Sequence, residues 1–375
     1  MHIGINYTSA LRQRGGIGRY TRGLVNALSR LDSRNRYTLV VSKDSPLNST
    51  PSLPHNFTFK MLPLSERLLT ILWHRLDLPL SIDRWAGPFD LFHSPDFVLP
   101  PLRRAPGILT VHDLSFIQHP DGAAPKLRRW LNKVVPDSVN RAQHILADSQ
   151  STKEDLEKLL NVAPNKISIV GAGIESRFKP IADAQKLDRL RQKYRLPERF
   201  ILGLGTLEPR KNYEGLIEAF NLLQVDHPDL HLVIAGGKGW LYDSIFEAAK
   251  KSPASSRVHL IGFVADEDLP ALYSLAQVFA FPSHYEGFGI PALEAMACGA
   301  PVVAANNSSL PEIAGKAAVL LPATDTTALS NAICQFVSHP SLREEYTKAG
   351  IEQAKKFTWE TAAEKLLKVY QSLAE

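Results

Sequence analysis

The 375 residues, 44% hydrophobic and 22% charged, suffice for two globular domains with separate cores, and no low-complexity or like-charge block marks a disordered tail. No apolar run reaches the roughly 18 residues a membrane-spanning helix needs, and two cysteines, Cys298 and Cys334, are too few for a disulfide framework or a cysteine-based metal site. The net charge of +5 is uneven: residues 1–170 hold 22 Lys+Arg against 14 Asp+Glu and the rest 21 against 24, so an anionic partner or surface is expected for the first half.

From the N-terminus, Met1 to Asn6 reads as a first strand rather than a basic leader with an apolar core, which sets the expectation of a cytoplasmic protein. Gly15-Gly16-Ile17-Gly18-Arg19-Tyr20 follows. Such a run either brings backbone N–H groups to a phosphate or turns the chain into a helix. β-Branched and aromatic runs at 37–41, 57–61, 108–112 and 145–148, with helical stretches between them, predict alternating strands and helices and hence a parallel sheet. The stretch 126–135 spaces Leu127, Trp130, Leu131 and Val134 helically with cations opposite, a pattern that suits a membrane surface and equally an ordinary domain helix. Near strand ends, His112 and His93 are candidate ligand contacts, while Asp113 either orients His112 or caps a loop.

The stretches Gly171-Ala172-Gly173-Ile174 and Phe178-Lys179-Pro180 break the periodicity and place a hinge between a first domain, 1–170, and a second, 171–357. The rhythm restarts at 200–205 and continues at 231–235, 258–261, 278–281 and 301–304. Thr358 can cap a last helix, 358–375, whose Leu366, Val369 and Tyr370 are expected to pack back on the first domain. The expected fold class is α/β, two facing doubly wound Rossmann-like domains whose ligands bind outside the carboxyl ends of the strands, in a cleft between domains.

In the second half, Gly205-Thr206-Leu207-Glu208-Pro209-Arg210-Lys211-Asn212 joins a strand to a helix and puts two adjacent cations at a strand's carboxyl end, where they can stabilise negative charge. Residues 283–299 read as strand, loop and helix. Pro291 suits the first helical position, Gly299 the end, and Gly287 and Gly289 let backbone approach a ligand, so the helix start can receive a diphosphate. Glu286 and Glu294 would repel phosphate and suit accepting hydrogen bonds from sugar or ribose hydroxyls. Asp266-Glu267-Asp268 imitates a metal-chelating D-x-D, but acids opening a helix are ordinary caps, and capping is the expected role.

Glu286 and Glu294, with Gly287-Phe288-Gly289-Ile290-Pro291 between them, resemble the E-x7-E signature of retaining glycosyltransferases of family 4. The resemblance covers essentially the whole chain and is concentrated in residues 205–299. It implies the GT-B form of the two-domain fold, with Glu286 on the donor sugar, Glu294 on the ribose, and Arg210 and Lys211 (beside Gly205) on the diphosphate. It further implies the Gly15-Gly16 loop on the donor phosphates, His112 beside the donor sugar, Ser149 as a second cleft residue, and backbone at Phe263 and Val264 on the base. No cofactor, metal or protein nucleophile is implied; the departing phosphate oxygen takes the acceptor's proton on the same face. The run H-D-L-S-F-I-Q-H-P from His112, with G-T-L-E-P-R-K-N, is similar to bacterial mannosyltransferases of polysaccharide assembly. That likeness implies GDP-mannose as donor, a glycan or lipid-linked acceptor, peripheral attachment at the inner face of the cytoplasmic membrane, and no nucleic-acid partner. UDP-linked hexoses stay open as donors, and a sugar-nucleotide epimerase or a non-catalytic sugar-nucleotide binder are the alternatives of other classes.

Overall fold

Strand and helix alternate through the residues that the computed structural model describes, 1–13, 15–47 and 52–373, and the strands form two parallel sheets. The chain divides into two units, the first comprising Met1–Leu114, Arg129–Gly173 and Thr358–Glu375, the second Ser115–Arg128 and Ile174–Phe357.

In the first unit β1 (His2–Asn6), β2 (Arg36–Val41), β3 (Phe57–Met61), β4 (Leu91–Ser94), β5 (Gly107–Val111), β6 (His144–Ala147) and β7 (Ile167–Ile169) lie in the order β3-β2-β1-β4-β5-β6-β7. The helices between these strands in the chain are α1 (Thr8–Arg12), α2 (Gly16–Leu31), α3 (Glu66–Thr70), α4 (Asp83–Ala86), α5 (Ser115–Gln118), α6 (Pro125–Arg141) and α7 (Gln150–Leu160), of which α5 and the start of α6, up to Arg128, fall in the second unit. Central strands such as β5 are buried along their whole length, as a sheet covered on both faces requires, and so read as continuous apolar runs.

In the second unit β8 (Arg199–Leu204), β9 (Leu230–Ala235), β10 (Val258–Gly262), β11 (Val278–Phe281), β12 (Val302–Ala305) and β13 (Ala318–Leu321) take the order β10-β9-β8-β11-β12-β13. Its further helices are α8 (Ala184–Tyr194), α9 (Tyr213–Leu223), α10 (Asp243–Lys251), α11 (Leu269–Leu275), α12 (Ile290–Ala297), α13 (Leu310–Ala314), α14 (Thr326–Ser338) and α15 (Pro340–Ala354). Leu216 and Phe220 of α9 join Ile333 and Phe336 of α14 in the core under the sheet. Each such side chain contributes about 1.5–3 kcal/mol by leaving water. In both sheets the order reverses beside the first strand, which creates a crevice at the carboxyl ends.

The unit boundaries depart from the 1–170 and 171–357 division. Residues 115–128 belong with the second unit: the His119 ring lies 5.6 Å from that of Tyr285, and Trp240 Nε1 donates to Gly122 O at 2.6 Å. The sequence pattern carries no trace of this, because it records neighbours along the chain and these partners lie more than a hundred residues away.

The C-terminal helix α16 (Trp359–Ser372) starts on Thr358, whose hydroxyl accepts from Thr361 N, and buries Leu366, Val369 and Tyr370 within the first unit. It meets α2 where Gly23 leaves room for Trp359. At the crossover, a Cβ on Gly173 would lie 2.1 Å from Trp359 N and 2.4 Å from Thr358 C, and backbone cannot yield as a flexible side chain can. Gly173→Ala is therefore expected to lower stability by about 1–3 kcal/mol, seen as a lower melting temperature by calorimetry. An unchanged melting temperature would refute this packing.

Candidate functional site

In the second unit, β8 and β11 end side by side, and the segments that follow them bring together Arg210, Lys211 and Glu286. Gly205, at φ +151°, carries the chain out of β8 in a conformation that side chains disfavour, and Lys211 Cε lies 3.4 Å from where a Cβ would be. Pro209–Lys211 then makes one 3₁₀ turn. Asn212 follows in the left-handed region, caps α9 through Oδ1, and pins both neighbouring loops by donating Nδ2 to Pro282 O and Ala323 O.

Lys211 Nζ donates to Glu286 Oε1 at 2.5 Å, Arg210 Nη1 to Glu286 Oε2 at 3.1 Å, and Arg210 Nη2 to Glu208 Oε1 at 2.6 Å. Lys211, Glu286 and Glu208 are buried. Burial opposes the Glu286 charge, but Lys211 and Arg210 outweigh it and hold the carboxyl down at about 2, so the glutamate stays ionised. Burial, reinforced by Arg210, pulls Lys211 below the usual lysine value against the attraction of Glu286. The pair is an ion pair whose lysine gives up its proton more readily than a solvated one.

The loop after Glu286 is built from behind. Glu286 N donates to Ser308 Oγ, and Ser309 Oγ donates to the carbonyls of Glu286 and Phe288. Gly289, at φ +101°, starts α12, which begins at Ile290 and not at Pro291, and no side chain caps it. Phe288 turns its ring inward against Phe357. Glu294 is buried on α12, where Oε2 accepts from Tyr273 OH at 3.1 Å. At the end of β10 Gly262 adopts a positive φ, and beyond it Phe263 is exposed and Val264 is buried. The expected capping by Asp268 is not realised: its carboxylate takes Lys193 Nζ at 2.7 Å and Tyr194 OH at 2.8 Å. Among the described residues no group of three or more His, Cys, Asp or Glu is arranged to hold a metal.

The first unit carries its own charged centre after β5. His112 Nδ1 donates to Asp148 Oδ2 at 2.7 Å and Nε2 to Pro95 O at 3.3 Å, while Tyr20 and Phe97 present ring edges to the imidazole at 4.8 and 5.5 Å between centroids. Burial disfavours the imidazolium. Asp148, by charge and hydrogen bond, with Asp96 nearby, reverses this and raises His112 to about 9. Both ring nitrogens are therefore donors at neutral pH. The partner of His112 Nδ1 is Asp148 and not Asp113.

Ser149 is buried at the N-cap of α7, where its hydroxyl accepts from Thr152 N and donates to Thr152 Oγ1; Thr152 in turn donates to His112 O. It supports the histidine loop from within. His93 is fully buried between Tyr370 OH (2.7 Å) and Thr110 Oγ1 (2.9 Å), and burial lowers it to about 3. It is a neutral anchor for α16 and not a ligand contact. Gly15 and Gly16 open α2 with no side-chain cap and empty space where a Cβ would stand, whereas Gly18 packs against the Gln13 carbonyl. The structure thus groups Arg210, Lys211, Glu286, Gly287, Gly289 and Glu294 around one helix start in the second unit, adds Glu208, Tyr273, Ser308 and Ser309 there, and in the first unit adds Asp148 beside His112. Only Glu208 of those five carried a sequence signal, an acid inside the Arg-Lys motif.

Two family models match successive parts of the chain. The model for Glycosyltransferase Family 4 matches residues 14–178, and that for Glycosyl transferases group 1 matches residues 186–353. The chain is 36% identical over 286 residues to an O-antigen chain mannosyltransferase B of Escherichia coli, covering 76% of this chain and 74% of that one. It is 33% identical over 239 residues to the serotype-specific mannosyltransferase WbdA of Escherichia coli, covering 62% of this chain but only 29% of that longer protein. Among solved structures, sucrose-phosphate synthase from Thermosynechococcus elongatus superposes with a TM-score of 0.77 at 22% identity, covering 100% and 99% of the two chains. The lipopolysaccharide-biosynthesis glycosyltransferase WaaG gives 0.72 at 16%, covering 98% and 99%. These last two likenesses establish the fold.

Proposed function

The chain belongs to glycosyltransferase family 4, and from that premise we propose that it is a retaining, metal-independent enzyme moving mannose from GDP-mannose to a glycan or lipid-linked acceptor in polysaccharide assembly. The observation that carries the chemistry is the buried cluster in which Lys211 and Arg210 both grip Glu286. A diphosphate arriving at the start of α12 offers these cations more negative charge than one carboxylate does. It draws them away, and the oxygens of Glu286 become acceptors for hydroxyls of the donor sugar. Glu294, kept in place by Tyr273, takes the ribose, and backbone at Phe263 and Val264 takes the base.

As the glycosidic bond breaks, charge builds on the departing phosphate, and Arg210 and Lys211, already drawn to it, stabilise that charge. The same phosphate oxygen receives the acceptor's proton, so no protein base is needed. His112, a fixed imidazolium, contributes a hydrogen bond to the donor sugar, and the Gly15-Gly16 loop contributes amides to the phosphates. Mannose as the sugar is supported by the 36% identity to the O-antigen mannosyltransferase. A UDP-sugar is the second reading, favoured by the structural likeness to Anabaena HepE, solved with UDP and glucose, at a TM-score of 0.75 and 18% identity.

Incubation with GDP-mannose, UDP-glucose or UDP-GlcNAc in EDTA tests the proposal by slow donor hydrolysis. Selective hydrolysis of GDP-mannose is expected. Turnover of a UDP-sugar would replace the donor, release of an epimerised sugar nucleotide would replace the reaction, and absence of both binding and turnover would overturn the proposal.

A further inference from the structure

Of the side-chain oxygen and nitrogen atoms that are buried without a hydrogen-bond partner among the described residues, two belong to the second unit: Tyr213 OH and Ser283 Oγ. Both stand at the Lys211–Glu286 ion pair. Tyr213 is the first residue of α9, 3% exposed, and its hydroxyl lies 3.1 Å from the point on Gly205 where a Cβ would be. Lys211 Cε approaches the same point to 3.4 Å. Ser283, the second residue past β11, is fully buried. Against burial, Lys211 and Arg210 hold the Glu286 carboxyl down, and the Ser283 hydroxyl adds a smaller pull without reaching hydrogen-bond geometry.

The backbone around both hydroxyls is tied. Asn212 Nδ2 donates to Pro282 O at 3.2 Å, His284 N to Arg210 O at 2.8 Å, and Asn307 Nδ2 to Ser283 O at 3.2 Å. The Tyr213 ring fills the space over Gly203, where Cε1 lies 3.2 Å from the Cβ point. Burial, with the charges of Glu286 and Glu208, keeps the phenol protonated far into the alkaline range, so it meets the carboxylates as a neutral donor. A hydroxyl held in the interior without a partner has given up its hydrogen bonds to water, and its place calls for a second state in which a partner arrives. Transfer of Lys211 and Arg210 to a diphosphate creates that state. Glu286 is then a buried carboxylate without its two cations, with up to about four acceptor positions to fill.

We propose that Tyr213 and Ser283 are positioning residues for the nucleotide-bound state: their hydroxyls are idle while Lys211 and Arg210 hold Glu286, and donate to its carboxylate once a diphosphate has taken the cations. They keep Glu286 ionised and aimed while the sugar hydroxyls approach it. This role rests on the function proposed above.

Tyr213→Phe and Ser283→Ala each remove one hydroxyl that is unpartnered in the free protein, so both variants should melt at the wild-type temperature or above. Calorimetric titration with GDP or UDP, whichever the wild type binds, should show binding weakened about tenfold or more in each variant. At about pH 5 the variants should also take up a proton on binding that the wild type does not, because a carboxyl that has lost its cations and finds no hydroxyl becomes protonated. In a Glu286→Gln background the same two substitutions should leave binding unchanged, whereas a general loosening of the site would weaken both backgrounds alike. A lower melting temperature, as a water already joining these hydroxyls to the pair would give, equal weakening in both backgrounds, or binding without proton uptake in the variants would each overturn this role. If the wild type binds neither nucleotide, the transferase reading itself falls; if it binds and the variants match it, the role of the two hydroxyls falls alone.

Discussion

Glu286→Gln is expected to cut donor turnover about a hundred- to a thousandfold while leaving GDP binding intact or tighter. The substitution keeps the shape of the side chain and removes the charge that Lys211 and Arg210 hold in the absence of donor. The cations then meet a diphosphate without first leaving a carboxylate, but the sugar loses its strongest acceptor. Steady-state kinetics and calorimetric titration with GDP separate the two effects, and preserved turnover would remove Glu286 from the reaction. Lys211→Ala should behave oppositely on binding, weakening GDP. It also leaves Glu286 buried without its nearest cation, at a cost of about 3–5 kcal/mol in stability. Because the Glu286 carboxyl is depressed in the folded protein to about 2, its stabilising contribution is present above the ordinary glutamate range and is lost only as pH falls through 2. Glu286 therefore cannot account for an acid limb of activity near neutrality.

Asp148→Asn should move the alkaline limit of activity from near pH 9 to below 7, with a loss of about tenfold or more at pH 8. With the carboxylate gone, burial acts on His112 without its main opponent and the imidazole becomes neutral. In the wild type the folded value of about 9 exceeds the unfolded value, so the stabilising contribution, on the order of 3 kcal/mol, is complete below about 6.5 and is lost as pH rises through 9. A pH profile of kcat/KM tests the first statement and thermal melting between neutral and alkaline pH the second. Asn at this position still offers an oxygen to Nδ1, so an unchanged alkaline limit would mean that orientation, not charge, is what Asp148 supplies.

The cluster of Arg210, Lys211 and Glu286 was legible because its parts are local. Arg210 and Lys211 are adjacent, Glu286 and Glu294 bracket one glycine-punctuated helix start, and a single strand–loop–helix reading positions them. The strands at β1, β3 and β11 were legible to the residue because each is a compact β-branched or aromatic run between helical stretches. Strands β4, β7 and β13 were missed. Leu91–Ser94 mixes polar with apolar residues, Ile167–Ile169 is three residues long, and Ala318–Leu321 lacks aromatic residues, so none stands out from a buried helix turn or loop.

His93 and His112 show the limit most clearly. Each follows the same rule in sequence, a histidine within or after an apolar strand, yet one is neutral and sealed beneath Tyr370, 277 residues away, while the other is an imidazolium held by Asp148, 36 residues away. Likewise Asp268 reads as a cap until Lys193 and Tyr194 take its carboxylate. By itself the sequence determined the alternation of elements, the parallel sheets and the placement of Arg210-Lys211 and of the Glu286 to Glu294 segment at strand ends, because periodicity and turn chemistry act between near neighbours. Only the tertiary structure decided protonation and the assignment of residues 115–128 to the second unit, because each depends on burial and on groups brought together from distant parts of the chain.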